Sequence, residues 1–162
     1  MRAARPKSAT GAWREEAFTL IELIAAMAIM MILASAALPL ERIHAQRLRE
    51  EVLREDLREI RSAIDRYKDF SDRGLIRVKI DTFGYPPDLD TLVKGVTLGA
   101  TSNTRYKFLR RIPVDPMTGQ AQWGMRSMQD DADATTWGGQ NLFDVYSLSQ
   151  ATALDGTPYS SW

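Results

Sequence analysis

From Phe18 to Leu40 the chain carries a single charge, Glu22, in a run that reads FTLIELIAAMAIMMILASAALPL. No other feature narrows the possible folds as far. In a helix rising about 1.5 Å per residue the run reaches roughly 34 Å. A bilayer hydrocarbon core is about 30 Å thick and takes ~20 apolar residues to cross. The run is apolar all round rather than striped, the pattern of a helix facing lipid. A chain of 162 residues holds one modest domain plus an extension, which could hardly surround such a helix on every side. A membrane-spanning helix is therefore expected over 18–40, ahead of a buried core helix. Arg2, Arg5, Lys7 and Arg14 precede it, which keeps the short N-terminus cytoplasmic and exports the body.

An ordinary cleaved secretory signal is the second alternative. Ala34-Ser35-Ala36 supplies the small-residue cleavage pattern that such a signal needs. Against it stand the length of the run and Glu22, a charge inside the would-be hydrophobic region. A carboxylate at that depth costs several kcal/mol unless it is paired or lies near the interface, and it marks a functional site by default. Four residues into the run, Glu22 either sits near the headgroups or seeks a positive partner in an assembly of such helices.

The averages conceal this organisation. Formal net charge is zero, from 21 basic and 21 acidic residues, and there is no cysteine. Zero net charge argues against a nucleic-acid-wrapping protein. Absent cysteine excludes disulfides, thiolate metal sites and thiol nucleophiles. The length excludes a TIM barrel or a two-domain dehydrogenase. Yet the stretch Glu41–Arg73 alone carries nine basic and nine acidic residues.

Ala17-Phe18-Thr19-Leu20-Ile21-Glu22-Leu23 resembles the prepilin cleavage and methylation motif of type IV pilins and type II secretion pseudopilins. The resemblance implies cleavage between Ala17 and Phe18 by a membrane prepilin peptidase, then N-methylation of the new Phe18 amine. It also implies that the helix is kept after cleavage, with Glu22 as the assembly glutamate and Pro39 as the helix-distorting proline. An internal proline removes one helical hydrogen bond and kinks or locally melts the helix. The departure from the pattern is Ala17, where glycine is usual.

Residues 41–70 are expected to continue as helix. Acidic and basic side chains recur at i,i+3 and i,i+4, as in Glu51, Arg54, Glu55 and Arg58, a spacing that supports an isolated helix. Leu53, Leu57, Ile60, Ile64 and Tyr67 form an apolar stripe expected to pack on the protein's own sheet. Downstream, Ile76–Ile80 has a strand-like look. Asp88 opens a short helix that Gly95 closes, and 95–105 reads as a surface loop. Pro113–Gly119 is a tight turn. Gln122–Met128 and Phe143–Ser147 are candidate strands on either side of a polar loop at 129–139.

The body resembles the G-type pseudopilins of type II secretion. The resemblance rests on Gly84-Tyr85-Pro86-Pro87, on Leu109-Arg110-Arg111-Ile112-Pro113-Val114-Asp115-Pro116, on Asp144-Val145-Tyr146-Ser147 and on Trp162. It implies a pilin-like α+β fold, a long N-terminal helix with a transmembrane half and an amphipathic half packed on a small antiparallel sheet. The expected organisation is a cytoplasmic leader at 1–17, a transmembrane and assembly helix at 18–40 and a periplasmic domain at 41–162. The implied partners are further copies in a helical filament, other pseudopilins, an inner-membrane assembly platform, the prepilin peptidase and the membrane itself. No nucleic acid is expected. A type IV pilus or competence pilin is the rival within the superfamily, and a soluble periplasmic binding module the rival outside it.

The same resemblance implies calcium in the C-terminal loop. Calcium takes six to eight oxygen ligands, usually with several carboxylates, and Asp155 is the only acidic residue between Ser147 and Trp162. One carboxylate with backbone carbonyls makes at most a weak site. The alternative is an Asp155-Gly156 turn with Tyr159 and Trp162 clamping the tail by packing. The cluster Asp130-Asp131-Ala132-Asp133 lacks the glycine and closing glutamate of an EF-hand loop and reads as a solvated loop. His44 is the only histidine and has no triad companions. No residue set supports catalysis.

Overall fold

A computed structural model describes residues 19–99 and 105–162, with the backbone alone at 36–40. Ala17 and Phe18 lie outside the described residues, as does the side chain of Pro39. Helix α1 runs Leu20–Asp72. The Thr19 hydroxyl receives the Glu22 amide at 3.4 Å and its carbonyl receives the Leu23 amide at 3.1 Å, which makes Thr19 the N-cap of α1. The chain divides into two compact units, Met1–Glu41 and Arg42–Trp162.

In the second unit the expected stripe forms the centre of the core. Leu53, Leu57, Ile60, Ile64 and Tyr67 are all buried, together with Leu92, Phe108, Leu109, Trp123, Leu142, Val145 and Tyr159. Burying one such aliphatic side chain contributes about 1.5–3 kcal/mol. The partners of the stripe are mostly loop residues, with Val145 from a strand and Leu92 from a helix. Expectation placed a sheet there. The difference follows from the short strands, which bring few side chains to the helix.

Helix α2, Leu89–Lys94, is capped as expected. The Asp88 carboxylate accepts the Thr91 amide, and Gly95 closes the helix at a φ of +76°. A Cβ at Gly95 would lie 2.5 Å from the Tyr106 carbonyl oxygen, so space as well as backbone angle requires glycine there.

The long helix and small antiparallel pairings make the expected α+β, pilin-like fold, its strands divided between two ribbons. Strands β1 (Val96–Thr97) and β2 (Arg105–Tyr106) pair within the segment read as a loop. Strands β3 (Gly124–Arg126) and β4 (Asp144–Tyr146) pair with Gly124 opposite Tyr146. The Tyr146 ring lies where a Cβ on Gly124 would be, 2.2 Å from the ring's Cζ. Ile76–Ile80 is no strand. Ile76 is buried but Ile80 is 94% exposed, and a 3-10 turn begins at Ile80. Alternating apolar residues alone did not give the segment a pairing partner, and a strand without a ladder has no source of stability.

The expected Pro113–Gly119 turn ties the body together. Asp115 is buried; its carboxylate accepts the Met117 amide and, through its other oxygen, the Ser147 hydroxyl, each at 2.7 Å. The Pro113–Gly119 turn is thereby joined to the end of β4. Trp123 Nε1 donates to the Pro113 carbonyl at 3.0 Å, and the Leu142 amide to the Pro86 carbonyl at 2.7 Å.

Candidate assembly helix and tail seat

Within the first unit, α1 presents apolar side chains on every side. Leu20, Ile21, Ile24, Met27, Ile29, Met30, Met31, Ile32 and Leu33 are all exposed. A contiguous apolar surface of this kind marks a contact with membrane or with other protein. Glu22 lies exposed on the first turn, where a carboxylate complements the helix dipole. Among the described residues no helix is long and apolar enough to cross a membrane. The described side chains of the run end at Ser35, and Phe18 and 36–40 fall outside them. Helix α1 continues through position 39.

In the second unit, a polar row on α1 flanks the apolar stripe and receives the segment 150–162. Gln46, Glu50 and Arg54 recur at i,i+4, which places them on one face. Buried Glu50 accepts three hydrogen bonds at Oε1. They come from Gln46 Nε2 at 3.1 Å, the Leu154 amide at 2.9 Å and the Tyr159 hydroxyl at 2.9 Å. Burial pushes the Tyr159 phenol above its ordinary value; Gln46, donating to its oxygen, opposes this, and Glu50 reinforces it. The phenol therefore stays a proton donor to Glu50 at neutral pH. Further along, Arg61 donates from Nε to Asp144 at 2.7 Å and from Nη2 to the Val145 and Trp162 carbonyls. Arg126, stacked 4.1 Å from the Tyr146 ring centroid, donates to the Ser160 carbonyl at 3.1 Å.

Asp155 stands at the outer edge of this seat. Its Oδ1 accepts both the amide and the hydroxyl of Thr157, the side-chain turn expected of Asp-Gly-Thr. The Thr157 hydroxyl and amide hold its carboxyl below the ordinary value, and Arg54 adds to this. The Arg54 guanidinium lies 3.7 Å from Oδ2, both side chains being about half exposed, and stacks 4.2 Å from the Trp162 ring centroid. Tyr159 and Trp162 meet edge to face.

These groups do not fit a calcium ion. The carbonyls of Ala151, Ala153, Thr157, Pro158 and Tyr159 accept backbone amides, that of Thr152 accepts Gln46 and that of Ser160 accepts Arg126. Asp155 is engaged by Thr157 and faces a cation already. Among the described residues no three metal-ligating side chains gather.

Sequence reasoning missed Glu50, Arg61 and Arg126. The signal for Glu50 was its phase: it lies three residues before Leu53, at the edge of the apolar stripe. The loop read as solvated is also stapled. Asp130 Oδ2 accepts the Ser127 amide at 2.7 Å and the Gly138 amide at 3.0 Å. These bonds, Gly138 first, hold its carboxyl below the ordinary value. His44 is exposed, two residues before Gln46 on α1.

Residues 14–38 match the model of the prokaryotic N-terminal methylation motif. The chain is similar to the type II secretion system core protein G of Pseudomonas aeruginosa, at 30% identity over 140 residues, 83% of each chain. No solved structure matches it.

Proposed function

The chain belongs to the family of type II secretion system core protein G, and from that premise we propose that it is a structural subunit of a periplasmic pseudopilus. The observation that carries this reading is the exposed apolar stretch of α1 with one carboxylate on its first turn, inside a segment matching the N-terminal methylation motif. The motif alone is shared with type IV pilins. Similarity across most of the body favours secretion.

In this reading the prepilin peptidase cuts between Ala17 and Phe18, and the Phe18 amine is methylated. The run 18–40 anchors the subunit in the inner membrane, with the body in the periplasm. On assembly the anchor leaves lipid for the filament core. There the Glu22 carboxylate neutralises the Phe18 amine of a neighbouring subunit. In a low-dielectric core a subunit docked out of register leaves both charges unpaired, so the pair selects the register. Small residues such as Ala25, Ala26 and Ala28 let helices approach closely. Pro39 loosens the helix between anchor and body. The filament of these subunits and other pseudopilins, built on an inner-membrane assembly platform, supports export of folded proteins across the outer membrane. The subunit supplies a moving part of the machine and no chemistry of its own.

Mass spectrometry of the mature protein tests this. The expected N-terminus is a methylated Phe18. A chain beginning at Ala37 would show ordinary signal cleavage and overturn the reading.

A further inference from the structure

We propose that the segment 150–162 is held by a metal-independent latch, in which the buried Glu50 carboxylate of α1 does the gathering that a bound calcium ion would do. A calcium ion in a terminal loop works by drawing several oxygens to one point. Here most of the tail's carbonyl oxygens are turned to protein donors. The polarity at the centre is inverted: one negative oxygen, Glu50 Oε1, collects donors from the tail at Leu154 and Tyr159. An anionic acceptor buried among N–H and O–H donors is satisfied without any ion, and charge-assisted hydrogen bonds are the stronger kind.

The second charged contact is weaker. Arg54 lies 3.7 Å from Asp155 with both side chains about half exposed, and exposed ion pairs contribute little. Its place is nevertheless informative, because a guanidinium beside the only acidic side chain of the tail repels a divalent cation. Glu50 is thus the anchor and Arg54 a minor support. The latch draws on residues of the helix and tail alone and goes beyond the assignment to a pseudopilus.

Two measurements on the full chain in detergent test the latch. The first is thermal unfolding, followed by tryptophan fluorescence, in about 5 mM calcium and in excess chelator. A calcium site of the ~0.1–1 mM affinity typical of extracellular modules raises the midpoint by about 3 °C or more under these conditions. The latch predicts midpoints within about 1 °C of each other, the wild-type comparison needing no variant. The second is the rate of chymotryptic cleavage within 152–162 in native conditions. Glu50→Ala is expected to raise it about tenfold or more, Glu50→Gln less because an acceptor remains, and Arg54→Ala by no more than about threefold. Calcium is expected to slow cleavage in none of them. A calcium-dependent rise in midpoint, or calcium protection of the tail, overturns metal independence. Unchanged cleavage in Glu50→Ala, or a larger effect in Arg54→Ala than in Glu50→Ala, overturns Glu50 as the anchor.

Discussion

Leu23 and Leu53 are the same side chain on the same helix, yet Leu23 is 52% exposed and Leu53 fully buried. The carboxylates beside them differ in parallel. Glu22 is exposed at the start of an apolar stretch, while Glu50 is buried and holds three donors of its own chain. Around Leu53 the apolar residues form one stripe, and the chain supplies the loops and strands that cover it. Around Leu23 they encircle the helix, and no single small domain can cover them. The difference teaches that one helix serves two kinds of partner. The stripe is completed within the molecule, and the encircling stretch by lipid or by other subunits.

Exchanging the carboxylates for alanine strains that distinction most. In the proposed filament, Glu22→Ala leaves the Phe18 ammonium of a neighbour without its partner in a low-dielectric core. Breaking a buried pair in this way costs roughly 3–5 kcal/mol, a hundredfold or more in an assembly equilibrium, at about 1.4 kcal/mol per tenfold. Filament yield should collapse while membrane insertion and the melting curve of the body remain as in wild type. Electron microscopy of sheared filaments, with membrane fractionation of the same cells, separates the two effects. Normal filaments from the variant would remove the reason for assigning Glu22 to assembly.

The two sets of apolar residues make the next test. Leu57→Ala opens a cavity in the body core, and losses of about 2–5 kcal/mol are typical of such truncations. Met30→Ala removes a comparable side chain from the exposed stretch. Its cost in the isolated subunit should stay within about 0.5 kcal/mol, as for other uncovered positions. Thermal unfolding in detergent should show a clear fall for the first and none for the second. A comparable fall for Met30→Ala would mean that the stretch is covered by its own chain, and the contrast between the halves would disappear.

How much of this was legible in the sequence follows the same division. Periodicity reports which residues need covering: it identified the stripe from Leu53 to Tyr67 and the encircling run from Phe18. Local turn chemistry was legible too, because Asp88 and Gly95 act on atoms a few residues away. What covers the stripe was less readable. Phe108, Leu109 and Leu142 come from loops, and loop packing depends on contacts remote in sequence. Ile76–Ile80 carried strand-like alternation but met no partner strand. The tail seat was hidden for a related reason. Glu50 looked like one more member of a dense charge pattern, and only the return of Leu154 and Tyr159 to its side makes it a buried acceptor. The isolated tail carboxylate drew attention because of its chemistry, yet its near neighbour Thr157 already satisfies it.

Two aspartates of the body offer the finest test, because their titrations have opposite signs. Asp130 is held below its ordinary value near 3.8 by the Gly138 and Ser127 amides. Its folded form is therefore favoured once ionised: the contribution is full above the ordinary value and is lost as pH falls below it towards the folded value. Asp56 is shifted the other way, above 3.8, by burial first and then by the like charges of Glu59, Asp115 and Glu55. Between the ordinary and the raised value the folded state binds more proton than the unfolded chain, so stability declines as pH rises across that interval. Asp130→Asn should then lower stability at neutral pH and soften the loss on acidification. Asp56→Asn should raise stability slightly at neutral pH and change it least at about pH 3 and below, where Asp56 is mostly protonated in the folded and the unfolded chain alike. Melting midpoints of the three proteins from pH 3 to pH 7 check both signs. Both effects should be small, since each carboxylate keeps contact with water. If Asp56→Asn destabilises at neutral pH instead, the charge of Asp56 is engaged by an attractive partner that outweighs burial and Glu59, and the apolar stripe has a second polar anchor beside Glu50.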